Sequence, residues 1–457
     1  MHYVSTRSAA LRADFRSVVL SGLAADGGLF VPASLPVFGA QEIANWSWLP
    51  FEELAWRVIS PFVGQAIPED DLKALLKDSY RPFNHRAIAP LRQIDRNEWV
   101  LELFHGPTRS SKDFAAQLHA RLAAYFLDGE GGQALVVGAT NGDTGLAAVS
   151  AFATCANCRV VTLYPQVGVP RERLLALQAA DPDRVLACAV AGSFDDCQTL
   201  VSRLFRRWPL EQVVPIGFNS TNWVGVLAQL VFYFHAALQL GGGQRPIGFS
   251  IPAASFAEVY AGYIAQKMGL PINQIIIATN RNDALHQFIH KNRYSTREAN
   301  RTLSPAMDFS IFSNLERFVW ELYDHDDQAV KTLMEHFENS GELSIANHQW
   351  LQARLLIDSY AVGDEQTVAE ITALFRDTGI AIDPHTATGV LAARLYRRSM
   401  VTPMVTLGQI APEKSAGLLA GLGAWSAPLP QVPPPVEHPR QLARGDLAGL
   451  CQMLSEW

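Results

Sequence analysis

Residues 134–154 read Ala-Leu-Val-Val-Gly-Ala-Thr-Asn-Gly-Asp-Thr-Gly-Leu-Ala-Ala-Val-Ser-Ala-Phe-Ala-Thr. An apolar run, a glycine-rich polar turn and an alanine-rich stretch follow one another, which predicts a buried strand, a tight connection and a helix. The unit recurs. Short apolar runs at 134–137, 159–164, 185–190, 213–216, 247–251 and 275–278 each lie near a helical pattern. Parallel strands need a crossover and are buried on both faces, so this alternation argues for an α/β protein with parallel sheets flanked by helices. In such sheets ligands lie beyond the carboxyl ends of the strands. The free N–H groups of a helix start after the 138–145 turn suit a carboxylate or phosphate.

Before that unit, residues 101–115 read Leu-Glu-Leu-Phe-His-Gly-Pro-Thr-Arg-Ser-Ser-Lys-Asp-Phe-Ala. Trp99 to Phe104 alternates as a short strand, His105-Gly106-Pro107 breaks it, and Ser110 or Ser111 caps a helix running from about Asp113 into Tyr125. Lys112 therefore sits at the positive end of a helix. That field lowers the proton affinity of its amine, and a neutral amine condenses with a carbonyl to give a Schiff base. Taken alone, the same residues also fit a solvated lysine, and a lone glycine-rich βα turn is no more than a tight connection.

Together these motifs resemble the threonine synthase family. The resemblance also runs through Tyr3 to Arg7, Asp26 to Pro32, Phe194-Asp195-Asp196-Cys197-Gln198, Asn219 to Trp223, Ala278-Thr279-Asn280 with Asn282-Asp283, Ser304 to Asp308, and Asp383-Pro384-His385-Thr386. It implies a fold-type II, tryptophan synthase β-like scaffold that uses pyridoxal phosphate (PLP) to convert O-phosphohomoserine and water to threonine and phosphate. By resemblance Lys112 holds PLP as a Schiff base, with cofactor contacts at Asp143, Ala254, Ser255, Phe256, Ala257 and Gln409. Substrate contacts are implied at Thr140, Asn141, Thr144, Ser220 and Arg109.

The departures from the family pattern gather at the ligand. Where the family has Gly-Asn-Phe-Gly to hold the cofactor phosphate, this chain has Ala254-Ser255-Phe256-Ala257, followed by the acidic Glu258. Glycine permits close backbone approach that alanine obstructs, so PLP should bind more weakly here. Gly225 stands where the family has an arginine for the substrate phosphate, and glycine offers no bidentate fork. Gln409 stands where a threonine faces the pyridine nitrogen, Arg109-Ser110-Ser111 replaces an apolar run, and Asn141 replaces serine. This pattern reads as altered chemistry. Three readings follow: a threonine synthase-like lyase, a paralogue acting on another amino-acid substrate in specialised metabolism, or a scaffold that has lost PLP and works without it or as a binding protein.

Composition bounds the partners. The chain has 457 residues, 49% hydrophobic and 18% charged, with a net charge of −7, so it offers no general attraction to nucleic acid or anionic membrane. The longest apolar stretch, Val226 to Leu240, contains Gln229 and His235 and reads as a buried helix. The N-terminus lacks a secretory pattern, which predicts a cytoplasmic protein, monomer or homodimer, with its five cysteines as thiols. Cys155-x-x-Cys158 has no partner pair and is not read as a metal site.

Three regions are expected: 1–95 as an α-rich N-terminal domain, 96–427 as the catalytic region with a smaller subdomain at about 134–240, and 428–457 as a proline-rich arm ending in a short helix at Gly445 to Leu454. Helices are predicted over Ala9 to Leu20, Phe51 to Val63 and Asp71 to Tyr80. Arg281 to Glu342 is polar enough to read as outer surface. His385 and His105 read as hydrogen-bonded structural histidines, and Asp195-Asp196 as a helix N-cap.

Overall fold

The runs predicted at 134–137, 159–164, 185–190 and 213–216 form one fully parallel sheet in a computed structural model, which describes residues 1–129, 132–429 and 440–457. Its five strands lie in the order Arg440–Leu442, Val185–Val190, Cys158–Pro165, Gln133–Ala139 and Val213–Gly217. The other two runs enter a six-stranded sheet ordered Ile357–Ala361, Ile272–Thr279, Ile247–Pro252, Met404–Gly408, Glu98–Glu102 and Leu91–Asp95. Every pairing there is parallel except the last. Leu91–Asp95 is a polar, partly exposed edge, which suits a strand with one side unpaired. The α/β architecture with helix-flanked parallel sheets is thus present.

Helix Trp223–Gly241 is long and apolar enough to span a bilayer, yet most of it is buried in protein. It packs against helices Phe51–Val63, Lys112–Asp128 and Ala257–Lys267, and its burial supplies much of the main hydrophobic core.

Three local expectations need correction. Ser8–Ala13 is a strand, paired with Tyr3–Ser5, and the helix starts only at Phe15. Asp14 caps it by accepting from Ser17 N–H at 2.8 Å, and backbone pairing overrides the helical propensity of Ala9 and Ala10. Helix Leu315–Leu322, inside the supposedly outer segment, is wholly buried. Arg317 is tolerated there because its guanidinium donates to the carbonyls of Phe30 and Thr221, at 2.9 and 2.6 Å, and to Asn314 Oδ1. Ser193, not the Asp pair, caps helix Phe194–Arg206, and Asp196 closes the capping box.

Helices Phe51–Val63 and Glu69–Tyr80 lie where the pattern predicts them. The final helix is Leu447–Glu456, capped by Asp446. Of the predicted proline-rich arm, residues 430–439 lie outside the described residues.

Candidate active site

The carboxyl ends of strands Gln133–Ala139 and Ile247–Pro252 and the starts of helices Lys112–Asp128, Asp143–Phe152, Trp223–Gly241 and Ala257–Lys267 meet around one cavity. Its volume is about 180 Å³, several times that of a water molecule, so it suits an organic ligand.

Lys112 is held there by the turn before it. Asp113 accepts from Thr108 N–H at 2.9 Å and from Thr108 Oγ1 at 2.8 Å. Burial pushes the Asp113 carboxyl up to about 6, against the opposing effect of those bonds. A Cβ on Gly106 would stand 2.5 Å from Asp113, so the close turn requires glycine. Ser110 Oγ accepts from Lys112 N–H at 3.3 Å, and Ser111 N–H donates to Gln409 O at 2.7 Å, which ties the helix start to the end of strand Met404–Gly408. Lys112 Nζ lies 3.1 Å from Oε1 of the buried Glu258. The other Glu258 oxygen accepts from Ser255 N–H at 3.2 Å and Oγ at 3.3 Å.

The 140–145 loop is built from within. Thr140 Oγ1 accepts from Gly142 N–H at 2.9 Å and Gly145 N–H at 2.8 Å, which leaves its own proton to donate. Gly142 has φ 124°, and a Cβ there would meet Arg173 at 2.7 Å. Asn141 and Thr144 line the cavity beside it. Burial alone would raise the Asp143 carboxyl, but Arg173 and Lys414 hold it well below the usual carboxylate range. Arg173 Nε is 2.9 Å from Asp143 Oδ1, and Lys414 reaches the same oxygen from the turn Pro412–Ser415. The charges of Asp143 are thus engaged inside the protein.

Among the other anticipated residues, Ala254, Ser255, Ala257, Gln409 and Ser220 line the cavity. Gln409 is fixed on both sides: its amide donates to Pro252 O and accepts from Ser111 Oγ at 3.4 Å. Phe256 is not in the lining. It adopts φ 66° at the helix cap, and its ring packs 5.5 Å from that of Phe318. Arg109 is also outside it, exposed on a turn at φ 57°. His385 lines the cavity with both ring nitrogens engaged. Ala306 N–H donates to Nε2 at 3.0 Å, so Nδ1 carries the proton given to Asp383 Oδ2 at 2.7 Å. His105 pairs with Glu102 at 2.8 Å, away from this cavity.

Residue-by-residue reading missed Arg173, Lys414, His119, Gln198 and Gln229. Arg173 and Lys414 lie in ordinary polar stretches and gain meaning only from Asp143. Gln229 carried a signal, since it stands four residues beyond Gly225 on one helix face.

The residues fit a phosphate-bearing carbonyl cofactor. Lys112 offers the amine. Beside it, the N–H groups of Ala254 and Phe256 find no acceptor among the described residues, and Ser255 adds a hydroxyl at a helix start, the donor set of an anion site. Glu258 at present takes the Ser255 hydroxyl and N–H, and a bound phosphate would displace its carboxylate.

Residues 2–80 match the threonine synthase N-terminal family, and residues 84–405 match the family of pyridoxal-phosphate-dependent enzymes. Threonine synthase from Pseudomonas aeruginosa is 45% identical over 429 residues, covering 94% of this chain and 92% of that protein. The crystal structure of PLP-bound threonine synthase from Brucella melitensis superposes with a TM-score of 0.91 at 36% identity, over 100% of this chain and 99% of that one. The yeast threonine synthase structure gives 0.89 at 31% identity, over 100% and 98%.

Proposed function

The chain belongs to the threonine synthase family of PLP-dependent enzymes, and we propose that it is a lyase acting on an amino-acid substrate whose distal group is not phosphate. The observation that carries this reading is the cavity wall at Gly225. The family pattern has an arginine there; here a Cβ built on Gly225 would meet only Ser220 O, at 3.9 Å, and the cavity it faces is also lined by Ala115, Ala148 and Phe152. Of the cationic side chains lining the cavity, Lys112 is paired with Glu258 and Arg173 with Asp143. A phosphate dianion at the Gly225 end would be desolvated without a counter-charge, which is strongly unfavourable.

When bound, PLP supplies the electron sink for charge developing at the substrate Cα. The chain supplies orientation and proton transfer. Thr140 Oγ1, Asn141 and Thr144, with the start of helix Asp143–Phe152, hold the substrate carboxylate. Glu258 Oε1 is the acceptor for the proton that Lys112 Nζ loses before its amine acts as a nucleophile. Lys112 Nζ then moves protons at Cα and Cβ of the substrate. The neighbouring His385 holds the wall through Ala306 and Asp383.

A second reading, a scaffold that works without PLP, has one observation behind it: Glu258 already engages both Lys112 and Ser255. The deciding assay follows phosphate release and threonine formation from O-phosphohomoserine with PLP present. Little or no turnover by wild type, with partial gain in Gly225→Arg, is the expected result. Robust wild-type turnover would overturn the altered-substrate reading.

A further inference from the structure

Behind Lys112 the cavity extends between three helices. Lys112, Ala115, Ala116 and His119 share one face of helix Lys112–Asp128 at spacings of three, four and seven residues. Ala148 and Phe152 face them from helix Asp143–Phe152, and Gly225 and Gln229 from helix Trp223–Gly241. The walls are small and mostly apolar.

Gly225 is required neither by backbone nor by packing. It does not have a positive φ, and a Cβ built on it would meet only Ser220 O, at 3.9 Å. Glycine weakens a helix relative to alanine, so a glycine without steric demand leaves open room on the cavity wall.

The polar side chains of this extension, His119 and Gln229, offer acceptors and a donor without partners among the described residues. His119 Nε2 lies 2.9 Å from Val19 O, and a carbonyl only accepts, so the imidazole carries its proton on Nε2. Nδ1 is then a lone-pair acceptor, and it has no partner among the described residues. Burial lowers the pKa of this histidine to about 4, which keeps the ring neutral at pH 7. Gln229 Oε1 is buried and also lacks a partner. His119 Nδ1 favours a donor from the ligand, and Gln229 Nε2, which finds no acceptor among the described residues, favours an acceptor on the same group, so a hydroxyl satisfies both. No anion lies among the chamber residues, so an ammonium there would be uncompensated.

Resting on the amino-acid substrate reading above, we infer that this chamber is a side-chain subsite for L-α-amino acids whose long, apolar and uncharged side chain ends in a hydrogen-bond donor such as a hydroxyl. Gly225 sets its depth, and His119 and Gln229 read its end.

The test is calorimetric titration of the PLP-loaded protein with L-2-aminobutyrate, L-norvaline, L-norleucine, 6-hydroxy-L-norleucine and O-phospho-L-homoserine. Affinity should rise about fourfold per added methylene, as burial of each CH₂ predicts, and the terminal hydroxyl should add at least tenfold. Gly225→Val should weaken norleucine and its hydroxy derivative tenfold or more while leaving 2-aminobutyrate unchanged. Gln229→Leu should erase the preference for the hydroxyl and keep norleucine binding. If 2-aminobutyrate binds but affinity is flat with length, or if O-phosphohomoserine binds tightest, the chamber assignment falls. If none of the five binds, the amino-acid substrate reading falls first and takes the chamber with it.

Discussion

Lys112 Nζ lies 3.1 Å from Glu258 Oε1, so the amine at the start of one helix is tied to the first turn of another. Glu258 also draws in Ser255, and one carboxylate thereby links the lysine to the loop that carries the free N–H groups of Ala254 and Phe256. Cofactor capture at this site must exchange that internal anion for an external one.

If Lys112 is the amine that condenses with PLP, borohydride added after PLP fixes one cofactor mass on a peptide containing Lys112. Mass spectrometry should find this in wild type and not in Lys112→Ala. An unmodified wild-type mass after reduction would support the scaffold reading instead.

The loop substitutions should weaken PLP. Alanine at 254 and 257 limits the approach of a phosphate to the backbone, and Glu258 competes for the same donors. The combined variant Ala254→Gly, Ala257→Gly, Glu258→Asn should bind PLP at least tenfold more tightly, since each recovered charge-assisted bond contributes about 1.5–3 kcal/mol. A visible-absorbance titration reads this directly, and equal affinities would refute the competition argument.

Most of the central strands of both sheets were legible in the chain because parallel strands are buried on both faces and leave short continuous apolar runs, as at Val185–Val190 and Ile247–Pro252, whereas Leu91–Asp95, Ile357–Ala361, Met404–Gly408 and Arg440–Leu442 were not legible as strands. The position of Lys112 at a helix start was legible because local punctuation ends a strand and opens a helix there, whereas Thr140 and Gln409 are singled out only through the resemblance to the family. Arg317 misled, since an arginine within a polar segment gives no sign that three oxygens wait for it in the core. The Arg173–Asp143–Lys414 cluster was invisible for the same reason. Its members are 30 and 271 residues from their shared carboxylate, and only the fold brings them together.

Stability should fall on acidification. His119 and His235 are held neutral by burial, with pKa values lowered from 6.5 to about 4 in each case. Between those values the unfolded chain binds more protons than the folded one, so stability is present above pH 6.5 and is lost as pH falls toward 4. Asp113, raised by burial to about 6, works in the opposite direction and favours the folded state as pH falls through 6. Burial also raises Asp195, Asp308 and Glu370, which act with Asp113, and lowers His286, which acts with the two histidines, so the histidine contribution is read from its own variant. Urea denaturation of wild type at pH 7 and 4.5 should show the loss, and His235→Phe should reduce it by about 2–3 kcal/mol. An unchanged difference between the two pH values would exclude His235 as a contributor.

The two arginines near the site should behave differently. Arg109 is exposed on a left-handed turn outside the lining, so Arg109→Ala should alter substrate affinity less than twofold. Arg109→Gly should even stabilise the protein by about 0.5–1 kcal/mol, because glycine carries no penalty at φ 57°. Arg173 is buried, lines the cavity and holds Asp143 at the head of the 140–145 loop. Arg173→Ala leaves Lys414 as the main partner of a buried carboxylate, and should lower both melting temperature and affinity for the substrate carboxylate, the latter at least tenfold. The two effects separate in the double variant Arg173→Ala, Asp143→Asn. Removing both charges should restore much of the stability, leaving only the part-buried Lys414 without its partner, while the affinity loss persists because Arg173 is still absent from the loop. If instead Arg109→Ala abolishes turnover of O-phosphohomoserine and Arg173→Ala does not, the exposed arginine closes over the ligand and Gly225 has not removed the phosphate clamp but displaced it.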